Sequence, residues 1–491
     1  MLKIFKQLDS FKERIAIDSD NKQFSYTYLI EQSDLIASFL LNHKQDLMEE
    51  KIGLLMSPNI DYIYTLWGIW KAGGVAVPLS LSAKKDELKH YISDCDINLI
   101  ISSKIIKKQK IIPEYKNLNV VEIEEIKIKE KKQLPNIKSE RKAMILYTSG
   151  TTSKPKGVVS THKNVESQIT TLVEAWEWTQ EDHIPLFLPL HHIHGIINSL
   201  SCPLFVGAKV TMLGPFDAEK VCSEIASKNF TVFTAVPTIY FSLIEQLENS
   251  SDSKLAEGFS KMRLMMSGSA ALAPEIHKKW KQLTGQELLE RYGMTEVGMA
   301  LSNKINGERR SGSVGVPLPG VEVKLENDEG KTIDNEGEAG QLLIKGAQVF
   351  QGYLNLPDKT KKSFKDGWFI TGDVVMLERG YYKILGRDSV DIIKSGGYKI
   401  SALEIEDVLL RNDKIKECAV VGIPDDKWGE IVATAIVVRK ETIKTEEIQQ
   451  WCSSYLSDYK IPRIVEILEN LPKNSMGKIT KPELKEILKN H

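Results

Sequence analysis

Through its first half the chain alternates short apolar, strand-like runs with helix-like ones, and that alternation restricts it to parallel sheets covered by helices. Lys51-Ile-Gly-Leu-Leu-Met56 reads as strand, Ile60 to Ala72 as helix, and Val75-Ala-Val-Pro78 as strand again. Glu87 to Ile92 then reads as helix and Asn98-Leu-Ile-Ile-Ser102 as strand. At 491 residues the chain is too long for one core and divides into at least two domains. The lysine-rich stretch from Lys104 to Lys132 reads as a solvated connection with a strand in it. Beyond Gly320 the elements shorten, and Val321-Glu-Val-Lys-Leu325 and Gln341-Leu-Leu-Ile-Lys345 alternate as strands of a small barrel do. A last unit starts near Gly386, with an amphipathic helix from Ala402 to Leu410 and strands at Cys418 to Gly422 and Val432 to Val438.

A hydrophobic fraction of 42% and a charged fraction of 27% are those of an ordinary soluble protein. The formal net charge of -1 offers no global field to gather nucleic acid or a membrane surface, so binding must come from a local site. The five cysteines lack C-x-x-C spacing and indicate neither a zinc site nor a disulfide framework. The N-terminus has no apolar signal core, and no run approaches the roughly 18 apolar residues of a spanning helix. No transmembrane segment and a cytoplasmic location are therefore expected.

The segment Tyr147-Thr-Ser-Gly-Thr-Thr-Ser-Lys-Pro-Lys-Gly157 follows the apolar run Ala143-Met-Ile-Leu146 directly. Its composition suits a loop that wraps polyphosphate. Gly150 and Gly157 let backbone N–H groups approach an anion, Thr148, Ser149, Thr151 and Thr152 add hydroxyl donors, and Lys154 and Lys156 balance phosphate charge. ATP is the first candidate ligand. The loop is not of the G-x-x-x-x-G-K-[ST] type, and Gly477-Lys478 also fails that pattern because Ile479 follows it.

Four further motifs follow in order: Glu290-Arg-Tyr-Gly-Met-Thr-Glu296, Thr371-Gly-Asp373, Gly386-Arg387 leading into Ser395-Gly-Gly-Tyr-Lys399, and Pro472-Lys-Asn-Ser-Met-Gly-Lys478. With the loop, they resemble the signature of the adenylate-forming superfamily of acyl-CoA synthetases, peptide-synthetase adenylation domains and beetle luciferases. The resemblance implies an α/β fold: a large N-terminal domain, residues 1-386, of two doubly wound subdomains plus a small β-barrel, and a mobile α+β lid, residues 387-491. The hinge would fall at Ser389, where most relatives have Asp or Lys.

It also implies a two-step ligation, in which a carboxylate displaces pyrophosphate from ATP and a thiol then displaces AMP from the acyl-adenylate. By resemblance Lys478 faces the α-phosphate and the substrate carboxylate, Thr295 contacts the α-phosphate, and Glu296 holds Mg²⁺, with Thr151 as a further metal contact. Tyr292 stacks on adenine, Asp373 and Arg387 hold the ribose, and Gly268-Ser269-Ala270 lines adenine and the acyl pocket. Ser395, Gly396, Gly397 and Tyr398 would form the coenzyme A tunnel after the lid rotates.

The acid itself is read from Arg291, where long-chain enzymes of the family usually carry glycine. A buried arginine needs an anion, and its planar fork suits a second carboxylate. In Leu188-Pro-Leu-His-His-Ile-His-Gly195, which borders the acyl pocket in the family, His192 would be the gate and His194 a second donor to that carboxylate. Together with Met299-Ala-Leu-Ser-Asn303 and Ser313 to Gly320, these residues resemble the malonyl-CoA synthetase branch and its methylmalonate-using relatives. The choice between malonate and methylmalonate stays open. So do a medium- or long-chain fatty acid as substrate and a carrier protein as thiol acceptor.

Overall fold

The computed structural model of the protein describes residues 2–104, 106, 112–115, 117–127, 131–148, 154–396, 398–439, 443–473 and 479–489. The expected alternation becomes a seven-stranded sheet. Its parallel part comprises Lys142–Thr148, Val75–Pro78, Lys51–Leu55, Leu99–Ser102 and Asn119–Glu122 in spatial order, the last being the strand inside the lysine-rich connection. Lys156–Thr161 and then Gly352–Tyr353 extend it antiparallel on the other edge. Helix Ile60–Lys71 starts where the Asn59 side chain accepts the Tyr62 N–H at 3.1 Å, as an N-cap should. Its Trp70 is fully buried, and the indole N–H donates to the Ala143 carbonyl at 2.8 Å, pinning helix to sheet.

A second unit of the same kind begins with Ile15–Ser19, Lys209–Met212 and His183–Leu186 in parallel, edged by Lys22–Ser25. Its continuation is Val232–Ala235, Leu264–Ser267 and Leu289–Met294, again parallel, closed by antiparallel Gly298–Ser302 and Val316–Pro317. The Thr231 N–H donates to the His183 carbonyl at 2.9 Å and joins the two sets. The shorter strands expected beyond Gly320 form an antiparallel five-stranded sheet of Val321–Glu326, Ala339–Gly346, Trp368–Glu378, Phe364–Lys365 and Tyr381–Arg387.

The C-terminal unit has its own cores. Side chains from Ile393 to Leu456 pack on one face of a sheet built from Ile392–Ser395, Tyr398–Ser401, Ile415–Asp425, Gly429–Val438 and Ile464–Ile467, and Leu471, Leu484 and Leu488 cover the other. Helix Ala402–Leu410 keeps the expected bounds. Two rim ion pairs dock this unit on the first, Arg411 to Glu275 at 3.0 Å and Lys399 to Asp328 at 2.6 Å. Among the described residues no helix is long and apolar enough to cross a membrane.

Candidate active site

The candidate residues collect at the carboxyl ends of parallel strands, where open α/β sheets bind ligands. Strand Leu264–Ser267 runs out into Gly268, Ser269 and Ala270; Ser269 takes a left-handed backbone, φ 72°, which a residue with a Cβ adopts at a cost. Strand Leu289–Met294 beside it carries Glu290, Arg291 and Tyr292, and the turn that follows holds Thr295, half-buried, and Glu296, buried. Thr148 and Lys156 face each other across the hairpin whose tip is the glycine-rich loop. Ser149, Gly150, Thr151 and Thr152 at that tip lie outside the described residues, as do Gly397 and Lys478.

At one end the polar groups are already paired. The Tyr292 hydroxyl donates to Asp373 Oδ2, and Arg387 Nε donates to Asp373 Oδ1 at 3.1 Å. Arg387 Nη2 also reaches the Thr371 carbonyl at 2.7 Å, and the Thr371 hydroxyl accepts the Asp373 N–H at 3.0 Å. Burial pushes the Asp373 carboxyl above the usual range, and Arg387 opposes that shift. Glu296 Oε1 accepts the Tyr353 hydroxyl at 2.9 Å. Lys156 lies 5.0 Å above the Tyr353 ring. Burial and the neighbouring Lys359 bring the Lys156 ammonium down to about 8, while Glu296 holds it up. Gly157 is closely packed, since a Cβ there would stand 3.0 Å from Ile145 Cγ2 and 3.2 Å from Leu354 Cβ. Lys154 is exposed.

The other end is unpaired. Arg291 is 2% exposed, and among the described residues none of its three guanidinium nitrogens has a hydrogen-bond partner. It lies flat over Gly268, where an added Cβ would fall 2.6 Å from the guanidinium carbon. Burial lowers it to about 9, with Tyr240 opposing, so it stays charged at neutral pH. Glu290, its neighbour in the chain, offers no relief because it is engaged elsewhere, accepting the Gly312 N–H at 2.8 Å beside His277.

His194 is fully enclosed and held neutral, its pKa driven far down by burial and then by Arg291. Its Nε2 meets the Thr234 hydroxyl at 2.7 Å and its Nδ1 the Ser269 hydroxyl at 3.2 Å. To serve as a donor to a bound carboxylate, the ring must therefore release the longer contact, the one to Ser269. The His192 ring lies against that of His191, centroids 4.2 Å apart and planes tilted by 51°. Both histidines precede or open a wide helix of the i→i+5 type, His194–Ser201, a form common at functional sites.

The remaining candidates are not brought together with these. Ser395 ends strand Ile392–Ser395, buried, while Gly396 at φ 57° packs against Trp428, its N–H donating to that residue's carbonyl at 2.8 Å. Tyr398 is 56% exposed and stacks on Tyr459. This hairpin faces Asp328 and its own domain. Lys481, three residues after Lys478, is held inside the C-terminal unit: it donates to Asp391 Oδ1 at 2.6 Å and pairs with Glu406 at 2.8 Å, and Asp391 Oδ2 accepts the Arg387 N–H at 3.0 Å.

For Mg²⁺, no cluster of three or more metal-binding side chains exists among the described residues. One carboxylate plus substrate phosphates is the usual magnesium arrangement, and Glu296 fits it, with Oε1 fixed by Tyr353 and the second oxygen left for the cation. Sequence reasoning missed Tyr353, Thr234 and Tyr240. Each acts across a long chain separation, 57 residues for Tyr353 to Glu296 and 40 for Thr234 to His194, and no local pattern signals it.

Comparison with known proteins points the same way. Residues 4–354 match the model of the AMP-binding enzyme family, and residues 404–478 that of the AMP-binding enzyme C-terminal domain. The malonate–CoA ligase of Arabidopsis thaliana is 40% identical over 99% of this chain and 88% of its own length. The mitochondrial malonate–CoA ligase of Homo sapiens is 38% identical over 98% of this chain and 91% of its own. Among solved structures, ATP-bound MatB from Rhodopseudomonas palustris superposes with a TM-score of 0.89 at 30% identity, covering 100% of this chain and 99% of that one.

Proposed function

The chain belongs to the AMP-binding enzyme family, and from that premise we propose that it ligates a small dicarboxylate, malonate or methylmalonate, to coenzyme A at the expense of ATP. One carboxylate attacks the α-phosphorus, a P–O bond forms, and pyrophosphate leaves. The coenzyme A thiol then attacks the acyl carbon, and AMP departs with the electron pair of the broken C–O bond.

The observation that carries this reading is the unpaired, buried Arg291. A cation in such a place is costly until an anion meets it, and a guanidinium fork takes a carboxylate in bidentate fashion. A monocarboxylic acid would spend its only carboxylate on the phosphorus and leave Arg291 unsatisfied. His194, neutral and donating, adds a hydrogen bond without adding charge. Asp373 and Arg387 hold the ribose, Tyr292 flanks the adenine, and Glu296 would hold Mg²⁺, which screens charge on the departing phosphates. In the adenylating step Lys478 would face the α-phosphate and the attacking carboxylate, where a fixed cation meets the growing negative charge. The tunnel hairpin of Ser395 to Tyr398 would enter only after rotation about Ser389, just past strand Tyr381–Arg387. The five cysteines are free and buried, in keeping with a cytoplasmic setting.

Pyrophosphate release should be measured with malonate, methylmalonate, acetate, butyrate and palmitate, each with and without coenzyme A. Malonate or methylmalonate should lead by orders of magnitude, and thioester should form when coenzyme A is present. A monocarboxylate in first place would overturn the substrate assignment; adenylate without thioester would point to a carrier protein as acceptor.

A further inference from the structure

We infer that Lys359 is a second phosphate-binding cation, forming with Lys156 a two-amine clamp on the β- and γ-phosphates of ATP and on the pyrophosphate that leaves. The inference rests on the adenylating function proposed above and extends it to a residue outside the motifs.

Lys359 sits on the short helix Pro357–Lys362, half-buried, one residue before Thr360, which bonds the Tyr353 backbone beneath Lys156, and its charge bears on the Lys156 amine. Among the described residues neither amine forms an ion pair with a carboxylate; Glu296 is near enough to act on Lys156 only through space. Two like charges held together repel, by about 1 kcal/mol in water and more where water is scarce. A lysine with solvent within reach swings away unless its backbone is held and an anion is to be shared.

The backbone is held. Strand Gly352–Tyr353 pairs with Val159 and Val158 of the hairpin that bears Lys156. The Tyr353 N–H donates to the Thr360 hydroxyl at 2.9 Å, next to Lys359 in the helix. Gly352 admits this approach, because a Cβ there would lie 2.9 Å from Thr360 Cγ2. Tyr353 thus fixes three groups at once: Glu296 through its hydroxyl, Lys156 over its ring, and Lys359 through the turn that Thr360 closes.

The chemistry has a use for the pair. When the carboxylate oxygen bonds to the α-phosphorus, the bond from that phosphorus to the bridging oxygen breaks, and its electron pair stays on pyrophosphate. Charge therefore grows at the β and γ end, where two fixed amines neutralise it. AMP lacks those phosphates and should not depend on Lys359.

The test uses the full chain and the variant Lys359→Gln, with Lys361→Gln, exposed on the same helix, as control. Binding of magnesium pyrophosphate and of AMP is measured by calorimetry, and KM for ATP and malonate by turnover. Losing one charge-assisted contact should weaken pyrophosphate binding and raise KM for ATP by about tenfold or more. AMP binding and KM for malonate should hold, and Lys359→Arg should restore most of the loss. Unchanged pyrophosphate binding in Lys359→Gln, an equal loss of AMP, or equal damage from Lys361→Gln would overturn the clamp. Failure of the wild-type chain to bind AMP, or to release pyrophosphate from ATP with any acid, would instead overturn the adenylating function.

Discussion

The two ends of the active site are preorganised in opposite ways. At the nucleotide end Tyr292 and Arg387 are hydrogen-bonded to Asp373, and Tyr353 to Glu296, so the groups proposed for the ribose and the magnesium are satisfied before any ligand arrives, the two lysines Lys156 and Lys359 being the exception. At the acyl end Arg291 is sealed over Gly268 with none of its nitrogens partnered among the described residues. The first arrangement holds geometry at little cost and gains only a modest surplus when nucleotide exchanges one set of hydrogen bonds for another. The second stores a desolvation cost in the free protein that one substrate chemistry relieves. On the proposed assignment, the ribose and magnesium contacts would come from a satisfied network, whereas selectivity for the acid would come from an unsatisfied charge.

Arg291 is where this contrast should show most strongly. Arg291→Ala should lower kcat/KM for malonate by about two to three and a half decades, corresponding to the roughly 3 to 5 kcal/mol lost when one partner of a buried ion pair is removed. ATP binding should survive. The free protein should respond in the opposite sense, because the same change removes an unpaired buried charge. Arg291→Met, which keeps much of the volume, should raise the melting temperature, with a gain on the order of 1 to 4 kcal/mol. A lower melting temperature together with intact malonate use would make Arg291 a structural residue and erase the difference between the ends.

The nucleotide end should give smaller, divided effects. Asp373→Asn removes the proposed acceptor for the ribose and the charged partner of Arg387, and a hydrogen bond to a charged group is worth about 1.5 to 3 kcal/mol. KM for ATP should rise by one to two decades at about 1.4 kcal/mol per decade, with KM for malonate unaltered. Tyr353→Phe keeps the ring beneath Lys156 and removes only the hydroxyl that fixes Glu296, so ATP use should fall by about tenfold or less, and more magnesium should recover part of the loss. If Asp373→Asn changed malonate and ATP parameters alike, the two ends would be one coupled network.

How far these ends were legible in the sequence follows from the range of their interactions. Helix Ala402–Leu410 and the strands from Lys51 to Ser102 are set by short-range period and by caps such as Asn59, so their positions came within a residue or two. Asp373, Arg387, Glu296 and Lys156 sit in contiguous motifs and could be named, and Arg291 stood out by its neighbours. The bonds among them could not be read, since Tyr353 reaches Glu296 across a sheet edge and His194 finds Thr234 on a separate strand. The wide helix at His194–Ser201 was equally hidden: its apolar run suits any buried segment, and the close approach of the Pro189 carbonyl, 2.3 Å from where a Cβ on Gly195 would lie, depends on the fold. Lys359 lies in none of the motifs, and its meaning comes from the pairing of Gly352–Tyr353 with the strand that begins at Lys156.

The smallest effects should appear in the pH dependence, and they should differ between the ends. His194 is driven well below its ordinary value by burial, by Arg291 and by His192, so it stays neutral as pH falls through 6.5. A base with a depressed pKa gains its proton only below that depressed value. Lowering the pH from 8 to about 6 should therefore leave the His194 contribution to kcat/KM for malonate flat. Lys156 behaves differently: brought down to about 8 by burial and Lys359, it is charged below that value and loses its charge as pH rises through it. In the free enzyme kcat/KM for ATP should accordingly decline above pH 8, whereas the malonate profile, whose Arg291 guanidinium keeps its charge, should not share that decline. Profiles of the wild type and of His194→Gln, each taken with one substrate limiting, separate these cases. A step near 6.5 in the malonate profile that vanished in His194→Gln would mean that the histidine takes a proton beside Arg291. The acyl end would then carry two cations rather than one, and its selectivity for a dicarboxylate would have to weaken with rising pH.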